Sequence, residues 1–297
     1  MPAPSSVLVA GSGVMGAGIA AAFLRSGAKV QILSRTPERV AEKVPGVTGT
    51  AQLPDQAPDL IIESVPEKLD LKKRLYAEIE ARYGGRPVLA TNTSGLPLDE
   101  LASGLAHRGR FLGLHYFMPA DVMPLVEVIR TSETSDEATE TVIAGVRACG
   151  QDPLLLNRPI EGFLINRLQH AILHEPYHLI EQGICGPEEV DHAARAMLGP
   201  RMCITGLIEQ KDLSGLDTHA LVQRAIVPYL HHSAEPSRIV QDMYARGDIG
   251  VKSGKGFYDW TKRDPKKRQA EARTKLAEIL ALLERQKRNG SGKSGGA

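Results

Sequence analysis

The chain has 297 residues, 42% hydrophobic and 24% charged, which suits two ordinary globular domains. Lys and Arg number 36 against 35 Asp and Glu, a net charge of +1, and aromatics are 4%, so neither nucleic acid nor an anionic membrane is favoured as a partner. The three cysteines, Cys149, Cys185 and Cys203, are too few and too far apart for a disulfide framework or a CxxC metal knuckle, and no run approaches the ~18 apolar residues of a membrane span.

Along the chain, short β-branched runs at 7–10, 30–33, 60–65, 88–90, 111–114, 125–129 and 154–156 alternate with helical stretches. The runs are continuously apolar, as strands covered on both faces are. The pattern predicts a doubly wound, largely parallel α/β domain of Rossmann type over residues 1–157. From about Pro159 strand signals fade. Helical periodicity appears over 163–182, 188–197 and 219–232, and a charged amphipathic helix over 265–287 gathers Leu276, Ile279, Leu280, Leu282 and Leu283 on one face. This predicts an all-α domain at 158–287, followed by a Gly- and Ser-rich disordered tail at 288–297. The first apolar run is short and has no basic flank, so the expected location is cytoplasmic.

The first strand runs into Gly11-Ser12-Gly13-Val14-Met15-Gly16, which opens a helix of small residues. A bare GxGxxG is weak, but between a strand and a helix it is the dinucleotide fingerprint. Gly11 permits the turn, Gly13 admits the pyrophosphate and Gly16 lets helix and strand pack closely. Where an NAD site carries an acid, about 20 residues further on, the chain has Ser34, followed by Arg35, Thr36 and Arg39. A hydroxyl beside two arginines suits a 2′-phosphate, so NADP is expected over NAD. An Arg35 that merely stacks on adenine is the other reading.

Three segments carry polar groups at strand ends: 90–95 with Ser94, 113–119 with His115, and 125–129, where Glu127 interrupts an apolar strand. A buried carboxylate is costly unless paired. An antiparallel strand after His115 would set Glu127 beside it, and such a pair serves general acid/base chemistry. From spacing alone, a structural histidine and an independent glutamate remain equally open.

Together these segments resemble the L-3-hydroxyacyl-CoA dehydrogenase family, which shares the glycine loop, an NTS segment, an H-[FY]-F-x-P segment and a VEV strand. Glu161-Gly162-Phe163-Leu164-Ile165-Asn166-Arg167 is similar to its entry into the helical domain, and Lys252-Ser253-Gly254-Lys255-Gly256-Phe257-Tyr258 to its C-terminal segment. The resemblance spans about residues 6–260. It implies an oxidoreductase that interconverts an L-3-hydroxy and a 3-oxo group. His115 would take the hydroxyl proton, Glu127 would orient it, and Ser94 and Asn166 would bond the reacting oxygen. Glu67, Lys72 and Lys252 match cofactor-contacting positions. The helical domains of the family pair, which implies a homodimer. Relatives also serve as lens crystallins, so a non-catalytic cofactor-binding role is the alternative; the intact Ser94, His115, Glu127 and Asn166 speak against it.

There are departures. Ser34 replaces the family's usual Asp and Met118 its usual Asn. The long helical arm after the second strand, which helps hold coenzyme A, is shortened. Residues 65–72, 163–183 and Gly199-Pro200-Arg201 look more like the relatives acting on free hydroxy acids, L-gulonate 3-dehydrogenase and carnitine dehydrogenase. Arg201 could clamp a substrate carboxylate, although Leu207 stands where the family has a proline, and an interface arginine is the bland reading. The substrate is thus a 3-hydroxyacyl-CoA or a small 3-hydroxy acid. His170, His174 and His178 share a helix face, but Pro176 interrupts that helix and no HExxH pattern is present, so packing rather than metal binding is expected.

Overall fold

A computed structural model describes residues 1–291. The chain divides into two units, Met1–Arg167 and Leu168–Ala297. The first unit runs ten residues past the expected 157/158: Phe163 is buried in its core, and Glu127 holds the amides of Leu164 and Ile165.

The first unit opens with strand β1 (Ser6–Ala10), helix α1 (Val14–Arg25) and strand β2 (Lys29–Leu33). A 3₁₀ turn (Pro37–Arg39), the four-residue α2 (Val40–Lys43) and the three-residue strand β3 (Thr48–Thr50) follow. Then come β4 (Leu60–Glu63), α3 (Leu69–Tyr83), β5 (Val88–Thr91), α4 (Leu98–Ala102), β6 (Phe111–His115), β7 (Leu125–Arg130), α5 (Asp136–Ala148) and β8 (Asp152–Leu156). They form one sheet in the order β3-β2-β1-β4-β5-β6-β7-β8. Every pairing is parallel except β6 with β7.

Alternate side chains of each strand point to opposite faces, and both faces are covered. Val7 and Val9 pack with Ile19 and Phe23 of α1 and Val142 and Val146 of α5. Leu8 and Ile61 pack with Tyr76 and Ile79 of α3 and Leu98 of α4. All seven predicted strands are present. The unpredicted one, β3, is Thr-Gly-Thr, with no apolar run to announce it. Its glycine is obligatory, since a Cβ at Gly49 would lie 2.1 Å from the carbonyl oxygen of Pro37. Cys149 packs at the margin of the first core, and burial pushes its thiol up to about 11.

The second unit begins within α6 (Phe163–Glu181) and continues through α7 (Pro187–Ala193), a π-helical turn (Ala194–Leu198), α8 (Gly199–Thr205), α9 (Glu209–Ser214), α10 (Leu216–Ile226), α11 (Arg238–Arg246) and α12 (Pro265–Ser291). Gly183, at φ 67°, follows the end of α6. Contrary to the expected interruption, α6 runs through Pro176. A proline removes one amide bond from the ladder, which the neighbouring turns can bridge with a bend. The helix predicted over 219–232 starts earlier, at Leu216, and ends at Ile226 before Pro228. The tail expected from 288 is helical as far as Ser291; residues 292–297 lie outside the described ones. Among the described residues no three His, Cys, Asp or Glu converge on a metal position, and no helix is long and apolar enough to cross a membrane.

Candidate active site

The site is built at the carboxyl ends of the parallel strands, where open α/β sheets hold their ligands. His115 ends β6 and lies opposite Glu127 in the antiparallel β6–β7 register. Both side chains are buried, and Nδ1 of His115 is 2.7 Å from Oε2 of Glu127. A carboxylate only accepts, so Nδ1 carries the proton and Nε2 is left as the ring's acceptor. The other oxygen of Glu127 accepts the amides of Leu164 and Ile165, both at 2.9 Å. These are first-turn amides of α6, unspent within their helix. The chain enters that helix through two left-handed residues, Gly162 (φ 77°) and Phe163 (φ 49°). A phenylalanine there is strained. Its ring walls the imidazole at 5.4 Å, with Phe117 edge-on at 4.5 Å on another side.

Ser94 follows β5 on an exposed loop that is held from beneath. Its amide and the Thr93 hydroxyl both donate to Oε1 of Glu67, the amide at 3.1 Å. Asn92 accepts the Tyr116 amide through Oδ1 at 2.9 Å, tying the end of β5 to the end of β6. Glu67 itself is exposed, its side chain at 41%. Burial raises its carboxyl, but the Thr93 hydroxyl, Lys72 and the Ser94 amide outweigh this and hold it below the usual carboxylate range.

Lys72, expected at the cofactor, turns its ammonium into the protein and is 1% exposed. It lies 2.7 Å from Oε1 of Glu63 and 3.1 Å from Oε2 of Glu67. Glu63, at the end of β4, also accepts the Val65 amide at 2.7 Å, the Tyr76 hydroxyl at 2.7 Å and the Thr91 hydroxyl at 2.8 Å. Burial and the facing Glu63 carboxylate push the Tyr76 phenol up, keeping it a donor. The chain thus contains a buried network that the sequence analysis did not single out.

A cavity of about 1640 Å³ in the first unit is lined by the glycine loop, Ser34, Arg35, Glu67, Asn92, Ser94, His115, Met118 and Asn166, among others. That exceeds the ~300–1,000 Å³ of a drug-sized pocket, leaving room for a dinucleotide beside a substrate. The cradle fits a pyrophosphate. Gly11 has φ 123°, and a Cβ there would lie 2.4 Å from the carbonyl oxygen of Ser64; one at Gly16 would lie 2.0 Å from that of Gly11. A Cβ at Gly13 would meet nothing within 4 Å, so this glycine faces open space at the cavity. Val14 and Met15 begin α1, whose N-terminus favours an anion. The buried Ser34 hydroxyl lies 2.8 Å from that of Ser12 and accepts the Thr36 amide at 3.1 Å. Arg35 is exposed on the cavity wall, while Thr36 and Arg39 are exposed in the turn that follows. Lys43, which the sequence did not flag, donates to the carbonyl oxygen of Ser12 at 2.9 Å.

Arg201 and Lys252 belong to the second unit, not to the one that holds this cavity. Both are exposed. With the Gln210 amide turned to face it, the Arg201 guanidinium donates to Gln210 at 2.8 and 3.2 Å.

A helix end suited to phosphate and an imidazole that can accept a proton share one cavity, and hydride transfer to or from a hydroxyl calls for both. Fold and site therefore define a Rossmann-type, dinucleotide-dependent oxidoreductase. The family description for the NAD-binding domain of 3-hydroxyacyl-CoA dehydrogenase matches residues 6–57 and 38–158, and that for its C-terminal domain matches 162–260. The chain belongs to this 3-hydroxyacyl-CoA dehydrogenase family.

One relative is the 5-formyl-3-hydroxy-2-methylpyridine 4-carboxylate 5-dehydrogenase of Mesorhizobium japonicum, 29% identical over 94% of this chain and 98% of its own. A solved structure of a dehydrogenase of that name, described as an NAD+ dependent dismutase, matches with a TM-score of 0.88 at 27% identity, over 95% of this chain and 99% of that one. The 3-hydroxyacyl-CoA dehydrogenase of Archaeoglobus fulgidus matches with a TM-score of 0.69 at 29% identity, over 94% and 99%.

Proposed function

We propose that the chain interconverts a hydroxyl and a carbonyl on a small carboxylate, and that it works on the free acid rather than on a coenzyme A thioester. The observation that carries the chemistry is the buried His115–Glu127 pair opening on the cavity of the glycine loop. In oxidation, Nε2 of His115 takes the hydroxyl proton and Glu127 stabilises the resulting imidazolium. Ser94 and Asn166, which line the same cavity, hydrogen-bond the reacting oxygen. Bound NAD supplies the hydride acceptor at the carbon, and NADH the donor.

Two observations support a free acid. Between β2 and β4 the chain has only a 3₁₀ turn, the four-residue α2 and the three-residue β3, where the family's long arm would grip coenzyme A. The likeness is also greater to a dehydrogenase named for a pyridine carboxylate than to one named for an acyl-CoA, with TM-scores of 0.88 and 0.69.

The family match and the NAD+ dependent neighbour support NAD(H) as the cofactor. The exposed Arg35 and Arg39, with Ser34 in place of an acid, favour the second reading, NADPH. If Arg35→Ala leaves the affinity ratio for NADPH over NADH unchanged, that second reading falls.

The deciding experiment compares initial reduction rates for acetoacetyl-CoA, free acetoacetate and 5-formyl-3-hydroxy-2-methylpyridine 4-carboxylate, each with NADH and NADPH. Turnover confined to the free acids is expected. Turnover of the thioester alone overturns the substrate assignment. No turnover of any of the three, with NADH still bound, favours the non-catalytic alternative.

A further inference from the structure

The carbonyl oxygen of Ser12 stands just outside helix α1. The ladder of that helix begins one residue later, where the Ala17 amide donates to the Gly13 carbonyl oxygen at 2.9 Å. What holds the Ser12 carbonyl is a side chain 31 residues further on: Lys43 donates to it through Nζ at 2.9 Å. Lys43 is the last residue of α2. Val40 and Val44 anchor that turn in the first core, 1% and 5% exposed, while Lys43 is exposed. A lysine in the last turn of a helix ordinarily serves that helix's own carbonyls. This one crosses to another element, and holding so long a side chain in place costs rotamer entropy.

The effect is felt on the other side of the same peptide. The Ser12–Gly13 bond is trans. In a planar trans peptide the carbonyl and the following N–H point opposite ways. A carbonyl drawn toward α2 therefore turns the Gly13 N–H away from α2. That N–H donates to no group among the described residues, and Gly13 lines the cavity with open space beside it. Val14 and Met15, which open α1, add two amides from the unspent first turn of the helix. Turned the other way, the Ser12–Gly13 peptide would show an anion a carbonyl oxygen instead of a donor.

We propose that Lys43 is a cofactor-positioning residue: by holding the Ser12 carbonyl, it sets the glycine loop with the Gly13 N–H facing the pyrophosphate of the bound dinucleotide. The proposal rests on the reading of this cavity as a dinucleotide site, and it gives the short α2 a task there. It concerns NADH and NADPH alike, because the pyrophosphate is common to both. The competing role for Lys43 is a direct contact to a 2′-phosphate, and that contact would touch NADPH alone.

Titrations of the full chain with ADP-ribose, NADH and NADPH test it. ADP-ribose carries the pyrophosphate and no nicotinamide, so it reports the cradle apart from the reaction. Lys43→Met should raise the dissociation constant of all three by about tenfold, the weight of a hydrogen bond from a charged donor. Its urea midpoint should stay near that of wild type, since the side chain is exposed. Lys43→Arg keeps a charged donor and should recover most of the lost affinity. ADP-ribose binding equal in Lys43→Met and wild type overturns the proposal and leaves the dinucleotide reading standing. A loss confined to NADPH overturns it too, and makes Lys43 a 2′-phosphate contact. So does a lowered midpoint in both variants with no recovery by arginine, which would leave Lys43 a purely structural part. Wild-type protein that binds none of the three takes down the dinucleotide reading and the proposal together.

Discussion

Lys72 and Glu63 form a fully buried ion pair, and the same ammonium reaches Glu67, which holds the amide of Ser94. One cation thus joins the end of β4 to the loop that carries a proposed catalytic hydroxyl. Removing one partner of such a pair costs about 3–5 kcal/mol, because the other is left as an uncompensated buried charge. Lys72→Met should therefore lower stability by that order in urea unfolding. Glu63→Gln combined with Lys72→Met should lose less than Lys72→Met alone. A double variant worse than the single one would show that the pair contributes through something other than charge.

Glu67 gives the site an acid dependence of definite sign. Its carboxyl is held below the ordinary value of 4.5, since the Thr93 hydroxyl, Lys72 and the Ser94 amide outweigh burial. The stabilisation this brings is fully present above the ordinary value and is lost as pH falls through the lower, folded-state value. Wild type should exceed Glu67→Gln in unfolding midpoint at neutral pH, and the gap should close in acid. A gap that does not change with pH would contradict the assignment.

Glu127→Gln tests the His115 tautomer. An amide NH₂ facing Nδ1 cannot accept its proton, so the ring would move that proton to Nε2 and lose its base. The turnover rate should fall about 10²–10⁴-fold, with NADH affinity little changed. His115→Ala should fall in the same range. Equal activity in wild type and both variants would remove the pair from the mechanism.

The glycine loop separates folding from binding. Gly13→Val points into open space and should leave the unfolding midpoint near that of wild type while abolishing NADH binding. Gly11→Ala meets the carbonyl oxygen of Ser64 at 2.4 Å with φ at 123°, and should destabilise by about 1–3 kcal/mol. Equal NADH titrations for Gly13→Val and wild type would place the phosphates elsewhere.

Much of the first unit was legible because β-branched runs and a glycine loop are local signals. Glu127 stood out as an acid within an apolar strand, and β7 does place it opposite His115. Glu63 closes Leu-Ile-Ile-Glu with the same signature, yet its partners lie on α3 and β5, well separated from it in the chain. No periodicity announces such a contact. Lys72 was assigned by family position alone, and position does not say which way a side chain turns. The first unit takes in residues 158–167 for a related reason. The first turn of α6 reads as helix, but its amides are spent on a carboxylate of the sheet.

The sheet has two margins, and each is poorly suited to receiving another strand. One is β3, only three residues long. At the other, the Asp152 amide bonds inward to the carbonyl oxygen of Pro124, so the next amide position faces outward, and there the chain has Pro153, which has no N–H to offer. Short or proline-bearing edges are how proteins avoid edge-to-edge aggregation. The α/β unit should stay free of fibrillar aggregates even when the helical unit is unfolded.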